Sequence, residues 1–490
     1  MTLPSLLKPY RLGALLLAVL MTAGIFLWRR SRERRPFRVI LSALEVPTSG
    51  LDSTQRRALR DWVQWQLEAG GCTVLLPQTA TPQHLPPDTW LLELRPRQEG
   101  DHLALDWRSA KAGDMAKRGE SAWRESARPA EDPALALKGL SDSLPLPEGA
   151  RSPDRLLTRK AATFWRLLEA IAGNRDSARL SRGYELALAA AREEPDCAMA
   201  WMVLGDIQYR RMLISPQSDP MGQAAAEQHF RRALELAPAT PQTIFLLAQL
   251  KVDSGDHAAA LGELAKGLKA RPQALPLRSS LVYAARTAGL MDLTAQALRQ
   301  VGQLVPEGLQ ANTAENAWLY LGDRPRFEAS LQASPDEPRS TVASFYRGYL
   351  ALADGNAEVA AAWFHRSRTD MSSYSQFADL AEVFELIAAA RPDAARASLR
   401  RLADSRVGLR VPDGEFTFKV AEAHALLGDT AAAQDTADKA FSQGFGCTTW
   451  YEHSPFLAAL RSTPRWRALM DHLLARQRLL ERAFPPSAFA

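Results

Sequence analysis

The chain reads as mostly helical: a long stack of paired helices behind one apolar N-terminal span and a small α/β domain. Three observations carry that expectation. Pro238, Pro272 and Pro306 recur at 34-residue intervals, and Gly255 and Gly289 repeat the same interval. Leu12–Trp28 runs for seventeen residues without a charge. Between Trp90 and Trp107 apolar and polar residues alternate on both sides of Gln98-Glu99-Gly100-Asp101, the pattern of a β-hairpin.

At 490 residues the chain exceeds one compact core, and 46% hydrophobic content excludes global disorder. Its net charge of +5 comes from the first 35 residues, where Lys8, Arg11, Arg29, Arg30, Arg32, Arg34 and Arg35 face only Glu33. The body is therefore close to neutral and offers no broad basic face, so no nucleic-acid partner is expected. Cys72, Cys197 and Cys447 are odd in number and far apart, which fits neither a disulfide framework nor a metal site.

Residues 1–11 form a short tail, 12–28 a transmembrane anchor and 29–36 a basic juxtamembrane tract. As a helix the seventeen residues would be about 25 Å long, near the lower limit for a span. Tyr10 and Trp28 flank it at interfacial positions. A signal peptide cleaved near Thr22-Ala23-Gly24 is the competing reading; it would leave Ile-Phe-Leu-Trp and an arginine cluster as a new N-terminus. By the positive-inside rule the arginines place the body on the cytoplasmic side.

The α/β domain spans 37–144. Phe37–Glu45 reads as a buried strand. A helix begins at Asp52, with Gln55 as its capping-box partner and Ala58, Leu59, Trp62, Val63 and Gln66 on one face. Gly70-Gly71 end it, and Cys72–Leu76 is a second strand. The hairpin follows, then a weaker strand near Glu120–Ser126 and a helix over Pro133–Leu144. The order is β-α-β-β-β-α. Set just after a transmembrane segment and ahead of helical repeats, this order resembles the TolB N-terminal-like domain of bacterial membrane-anchored regulators and cyclases. The resemblance implies a body outside the cytoplasm, against the arginine signal. The expectation adopted is a single-pass inner-membrane protein with a periplasmic soluble part.

After a Pro- and Gly-bearing linker, 145–157, residues 158–445 form the repeat array. Trp201, Leu204 and Gly205 fall in one helix, with Ala226, Phe230, Ala233 and Pro238 in the next and extra residues, Ser215–Gln223, in the turn between. Leu247, Ala248, Gly255, Ala260, Leu264 and Pro272 repeat the pattern, as do Gly348, Gly355, Ala360 and Phe364, and then Ala421, Gly428, Ala433 and Ala440. Small residues let paired helices approach, large ones fill the gap, and glycine turns the chain. This spacing resembles the tetratricopeptide (TPR) repeat, in seven or eight units. The period blurs over 307–340 and 373–412. Residues 446–490, with Trp450, Phe456, Leu460, Trp466, Leu469 and Leu473, form a helical cap like the tail that ends repeat arrays in bacterial kinase- and cyclase-linked proteins.

The chain holds no phosphate-binding Gly-rich loop, no HExxH and no GxSxG. His365 and His424 are expected on repeat helices as solvent-facing or partly packed side chains, Cys197 and Cys447 as packed thiols, and Glu193-Glu194 as a solvated helix end. No catalytic residue, metal site or cofactor is assigned. The tetratricopeptide resemblance implies a concave groove lined by the first helix of each pair. It places Met202, Asp206, Tyr209, Phe245, Gln249, Tyr283, Arg286, Phe345, Tyr349, Phe418 and Glu422 there. Aromatic and polar groups so arranged suit an extended peptide or a helix; packing between adjacent repeats is the alternative use for each aromatic. The expected function is a scaffold, not an enzyme, binding other proteins or peptides through the groove and held to the lipid bilayer by 12–28. Two alternatives stand beside it. One is a sensory subunit whose catalytic half is on another chain. The other is an envelope-biogenesis enzyme with a polar pocket between 37–144 and the first repeats.

Overall fold

The computed structural model describes residues 37–41, 50–76, 84–99, 102–118, 124–128, 137–140, 154–174, 176–214, 221–306, 316–332, 339–369, 376–407, 409, 411 and 413–489. The expected anchor at 12–28 and most of the linker lie outside them. Among the described residues no helix is long and apolar enough to cross a membrane.

The α/β part opens with β1 (Phe37–Leu41) and α1 (Ser53–Ala69), then β2 (Cys72–Leu75), β3 (Trp90–Glu99) and β4 (His102–Lys111), α2 (Ala112–Arg118) and β5 (Arg124–Arg128). The strands form one sheet in the order β2-β1-β3-β4-β5. Strand β1 lies parallel to β3, while β3–β4 and β4–β5 are antiparallel. Glu99 pairs with His102, and Leu94 sits opposite Trp107. Asp52 caps α1 in a reciprocal capping box with Gln55, and Ala58, Leu59, Trp62, Val63 and Gln66 are buried together. The expected element order needs one correction. Ala112–Arg118 forms a short helix before the last strand; Asp114 in its first turn and Lys117 and Arg118 in its last suit the helix dipole. Of the helix expected over 133–144, residues 137–140 are described and helical.

The rest is a stack of helix pairs: α3 (Ala161–Gly173) with α4 (Leu180–Glu193), α5 (Ala198–Ile214) with α6 (Gly222–Leu236), α7 (Pro241–Asp253) with α8 (His257–Ala270), and α9 (Leu275–Ala288) with α10 (Met291–Leu304). Then come α11 (Asn316–Tyr320) with α12 (Arg324–Gln332), α13 (Arg339–Ala353) with α14 (Ala357–Thr369), α15 (Gln376–Ala388) with α16 (Pro392–Arg406), and α17 (Gly414–Leu426) with α18 (Thr430–Ser442). Helices α19 (Thr448–His453) and α20 (Pro464–Ala483) and a 3-10 turn, Pro486–Phe489, close the chain. Phe230 lies so close to Gly205 that a Cβ there would come within 2.7 Å of the ring. Side-chain volume is thus traded across the pair, as the repeat pattern requires.

From α7 onward each pair turns through one left-handed residue: Gly255, Gly289, Gly322, Gly355, Ala390 and Gly428, with φ between 53° and 83°. The stretches that look irregular in sequence therefore keep the period. Helices α11 and α12 are short, and at Ala390 an alanine takes the glycine position, which removes the visible marker.

Among the described residues two large apolar clusters stand out. The first joins α7–α10 to the α/β part through Ile40, Leu75, Leu85, Leu91 and Ala112, and takes in Leu480 and Phe489 from the tail. The second runs from Leu319 in α11 to Leu473 in α20. Arg38 Nε donates to the Leu304 carbonyl at 2.9 Å, and Thr73 Oγ1 to that of Gln273 at 3.2 Å. The sheet is thus built onto the array, with Trp62 of α1 against Phe164 of α3 at 4.7 Å.

Candidate functional site

The inner helices α5, α7, α9, α11, α13 and α17 bring most of the groove residues inside the protein. On α5, Met202, Asp206 and Tyr209 are buried. Asp206 accepts from Asn174 Nδ2 at 3.0 Å and from Arg210 Nε at 2.9 Å. On α7, Phe245 and Gln249 are half-buried. On α9, Tyr283 is half-buried, whereas Arg286 is 2% exposed. On α13, Phe345 sits among the rings of Tyr346, Phe364, Phe377 and Phe384, all 5.1–5.5 Å away. On α17, Phe418 packs on Tyr451 at 4.5 Å. Glu422, with no exposure, accepts from Tyr349 Oη at 2.7 Å and Ser454 Oγ at 2.6 Å. Eight of the eleven residues are therefore buried, and their partners belong to this same chain.

Two polar centres organise these residues. At the first, Tyr209 and Tyr283 both donate their hydroxyls to Asp253, Tyr283 at 2.6 Å. Asp253 ends α7, one turn beyond Gln249 on the same face. Burial raises its carboxyl to about 7, and the nearby Asp413 adds to the rise. Asp413 is also raised by burial; it caps α17, accepting from the backbone N–H of Glu415 and Phe416, with φ at +56°. Glu415 is the hub. It accepts from Arg286, from Asn316 Nδ2 at 2.7 Å and from Tyr320 Oη at 2.5 Å. Burial opposes the charge of Arg286 and of Glu415, yet each holds the other ionised, Arg286 raised and Glu415 lowered. His257, Tyr283, Thr287 and these carboxylates line a cavity with room for no more than a water. Burial drives His257 down to about 3, helped by Arg476, and its Nε2 lies 3.0 Å from Thr287 Oγ1.

The second centre lies within α17. Lys419 is 1% exposed and pairs with Glu422 at 3.0 Å. Its ammonium is boxed by rings: Tyr349 at 4.2 Å, Trp450 at 5.2 Å, Tyr320 at 5.8 Å, and Tyr346 and Phe418 at 5.9 Å. An ammonium over several aromatic faces keeps electrostatic compensation that an aliphatic core would deny it.

Asp253, Asp413, Glu415, Lys419, Asn316 and Tyr320 are absent from the sequence-derived set. A signal was present for some of them. Asp253 continues the Phe245–Gln249 face at a four-residue step, and Glu415, Lys419 and Glu422 recur at steps of four and three around Phe418. Nothing local could pair Arg286 with Glu415, 129 positions apart.

Other expectations resolve individually. All three cysteines are buried, and burial pushes the Cys197 and Cys447 thiols up to about 12. His365 is exposed and lies 3.1 Å from Glu385. His424 is more enclosed than a surface residue, and burial lowers it. Glu194 corrects the reading of a solvated helix end. It is 5% exposed and accepts the backbone N–H of Arg159 at 2.6 Å and of Lys160 at 3.0 Å. Lys160 precedes α3 and has no side-chain cap of its own, so the acid from the end of α4 satisfies those donors. Among the described residues no group of three His, Cys, Asp or Glu could hold a metal ion.

The arrangement defines a mostly helical, solenoid-like stack carrying a small sheet. No family model matches the chain, and no curated protein matches it.

Proposed function

We propose that this protein is a scaffold of tetratricopeptide type that binds partner proteins or peptides at the membrane. The observation that carries the reading is the eight-pair stack, with its left-handed turn residue repeated through the stretches where the sequence period blurs. Stacks of this kind present long surfaces to partners. Many polar groups of the two centres are hydrogen-bonded to one another, although Arg286 Nε has no partner among the described residues. Of the groove positions, Phe245, Gln249 and the edge of Tyr283 are the ones a partner reaches without rearrangement. In this proposal residues 12–28 tether the body to the bilayer on the periplasmic side, and local confinement strengthens weak contacts.

The test is site-specific photocrosslinking in cells, with the photoreactive residue at Phe245 or Gln249 and a control at Met221, which is 65% exposed. A discrete adduct from the first two positions and none from the control supports the reading. Equal, diffuse adducts from all three sink it. Phosphatase and fluorescent-protein fusions after Ala490 decide the side of the membrane independently.

A further inference from the structure

The two apolar clusters do not merge along their facing sides. Helix α11 belongs to both, giving Ala317 to the first and Leu319 and Tyr320 to the second. Opposite that shared helix Met291 packs on the second cluster, and charge and backbone make further contacts. Glu415 of the second body meets Arg286 of the first. The Gly446 N–H donates to the Thr287 carbonyl at 2.7 Å. The backbones run so close that a Cβ on Gly289 would lie 2.4 Å from the Gly446 oxygen. The tail then crosses back: Phe489, 1% exposed, joins the first cluster, and its carbonyl accepts from Arg278 Nη1 at 2.5 Å.

We propose that this seam is a self-masking latch: the second helical body closes over the inner face of the first, fastened by Glu415 on Arg286 and by Phe489 at Arg278. Its release uncovers Tyr209, Tyr283 and Arg286. The argument rests on the difference between seam and core. Each cluster is held by apolar burial, which is lost only when that body unfolds. Beside the apolar contacts of Met291, Leu480 and Phe489, the seam is held by a desolvated ion pair, whose Coulombic gain is offset by the cost of removing both charges from water. Such a contact opens below the global unfolding free energy. The uncovered face presents the Arg286 guanidinium beside the ring of Tyr283, 5.2 Å away. The carboxylate of Glu415 fills it in the closed state, so a partner taking its place brings a carboxylate of its own. The latch deepens the groove-binding reading and rests on it for its purpose, but opening is measurable without any partner.

Native cysteines report it. Cys447 is buried at the seam, its Sγ 3.9 Å from Met291 Sδ, while Cys72 lies in strand β2 within the first body. The full chain is alkylated with iodoacetamide across low denaturant concentrations, and each thiol is followed by peptide mass spectrometry. Cys447 is expected to react through an opening with a shallower denaturant dependence than that of Cys72. Glu415→Gln should speed Cys447 roughly tenfold or more, because Arg286 loses its counter-charge, and leave Cys72 unchanged. Phe489→Ala should act in the same direction and serves if the first variant folds poorly. Identical denaturant dependence for Cys447 and Cys72, or variants that accelerate both thiols equally, overturns the latch. An opening latch together with failed crosslinking at Phe245 and Gln249 would remove the groove reading alone.

Discussion

The two helical bodies share one repeat geometry and differ in what fills it. Around α7–α10 the core is aliphatic, built from leucine, alanine, valine and isoleucine, with Phe489 the one fully buried ring in the cluster. From α11 to α20 it is aromatic, with Tyr320, Phe327, Phe345, Tyr346, Tyr349, Phe364, Phe384, Phe418 and Trp450 all inside. The aromatic body also contains the buried Lys419–Glu422 pair, whereas the aliphatic body keeps Asp253 and Arg286 at its edge. Ring faces and phenol hydroxyls compensate a charge that methyl groups cannot. The same turn-by-turn scaffold therefore yields one body with an aliphatic cluster and one whose aromatic cluster encloses an ion pair.

The largest test of that contrast removes the charge from one partner. Lys419→Met leaves Glu422 buried with only Tyr349 and Ser454 as donors. It should destabilise the second body by about 3–5 kcal/mol, and adding Glu422→Leu should restore most of the loss. Denaturant unfolding followed by fluorescence measures both, and a double variant as unstable as the single one would show that the pair is no isolated unit.

A smaller effect, in the α5–α6 pair ahead of the aliphatic body, follows from close helix approach. Gly205→Ala drives a methyl into the Phe230 ring and should cost about 1–3 kcal/mol, relieved by adding Phe230→Leu. Gly262 has open space around it, so Gly262→Ala in α8 should instead stabilise by about 0.5–1 kcal/mol. Thermal unfolding of the three variants checks the ordering.

At the edge between the bodies, pH separates two opposed contributions. Asp253, raised to about 7, contributes stability that is present below its ordinary value near 4 and is lost as pH rises through 7. His257, lowered to about 3, contributes stability that is present above 6.5 and is lost as pH falls toward 3. Between about pH 4 and pH 6.5 the two slopes cancel, so the pair itself adds almost no pH dependence there. Asp253→Asn should leave the histidine slope exposed, a loss approaching about 1.4 kcal/mol per pH unit on acidification. An Asp253→Asn curve parallel to wild type would remove the assignment.

The smallest effect belongs to the rim. Arg324 reaches Asp354 at 2.5 Å, but both are nearly half exposed. Arg324→Ala should change stability by no more than about 0.5 kcal/mol, further reduced in high salt. A loss comparable to that of Lys419→Met would erase the distinction between buried and surface pairs.

Much of the architecture was readable without coordinates because it depends on near neighbours. The Asp52–Gln55 box, the buried face of α1, the hairpin and the Gly205–Phe230 exchange lie within one helix, one turn or one helix pair. Where a local marker was missing the reading blurred: Ala390 in a left-handed conformation hides a turn that glycine would have shown. The groove positions followed from the tetratricopeptide resemblance, which says nothing of which side chains meet across the inner face.

By itself, then, the sequence determined the helix pairs, their period and which face of each turns inward, since hydrophobic spacing and turn residues act over a few positions. Only the tertiary structure decided that those faces meet. Arg286 reaching Glu415, Lys419 entering a box of rings and Phe489 returning to Arg278 join residues far apart in the chain. No single repeat encodes such a contact, because each depends on side chains that only the folded chain brings together.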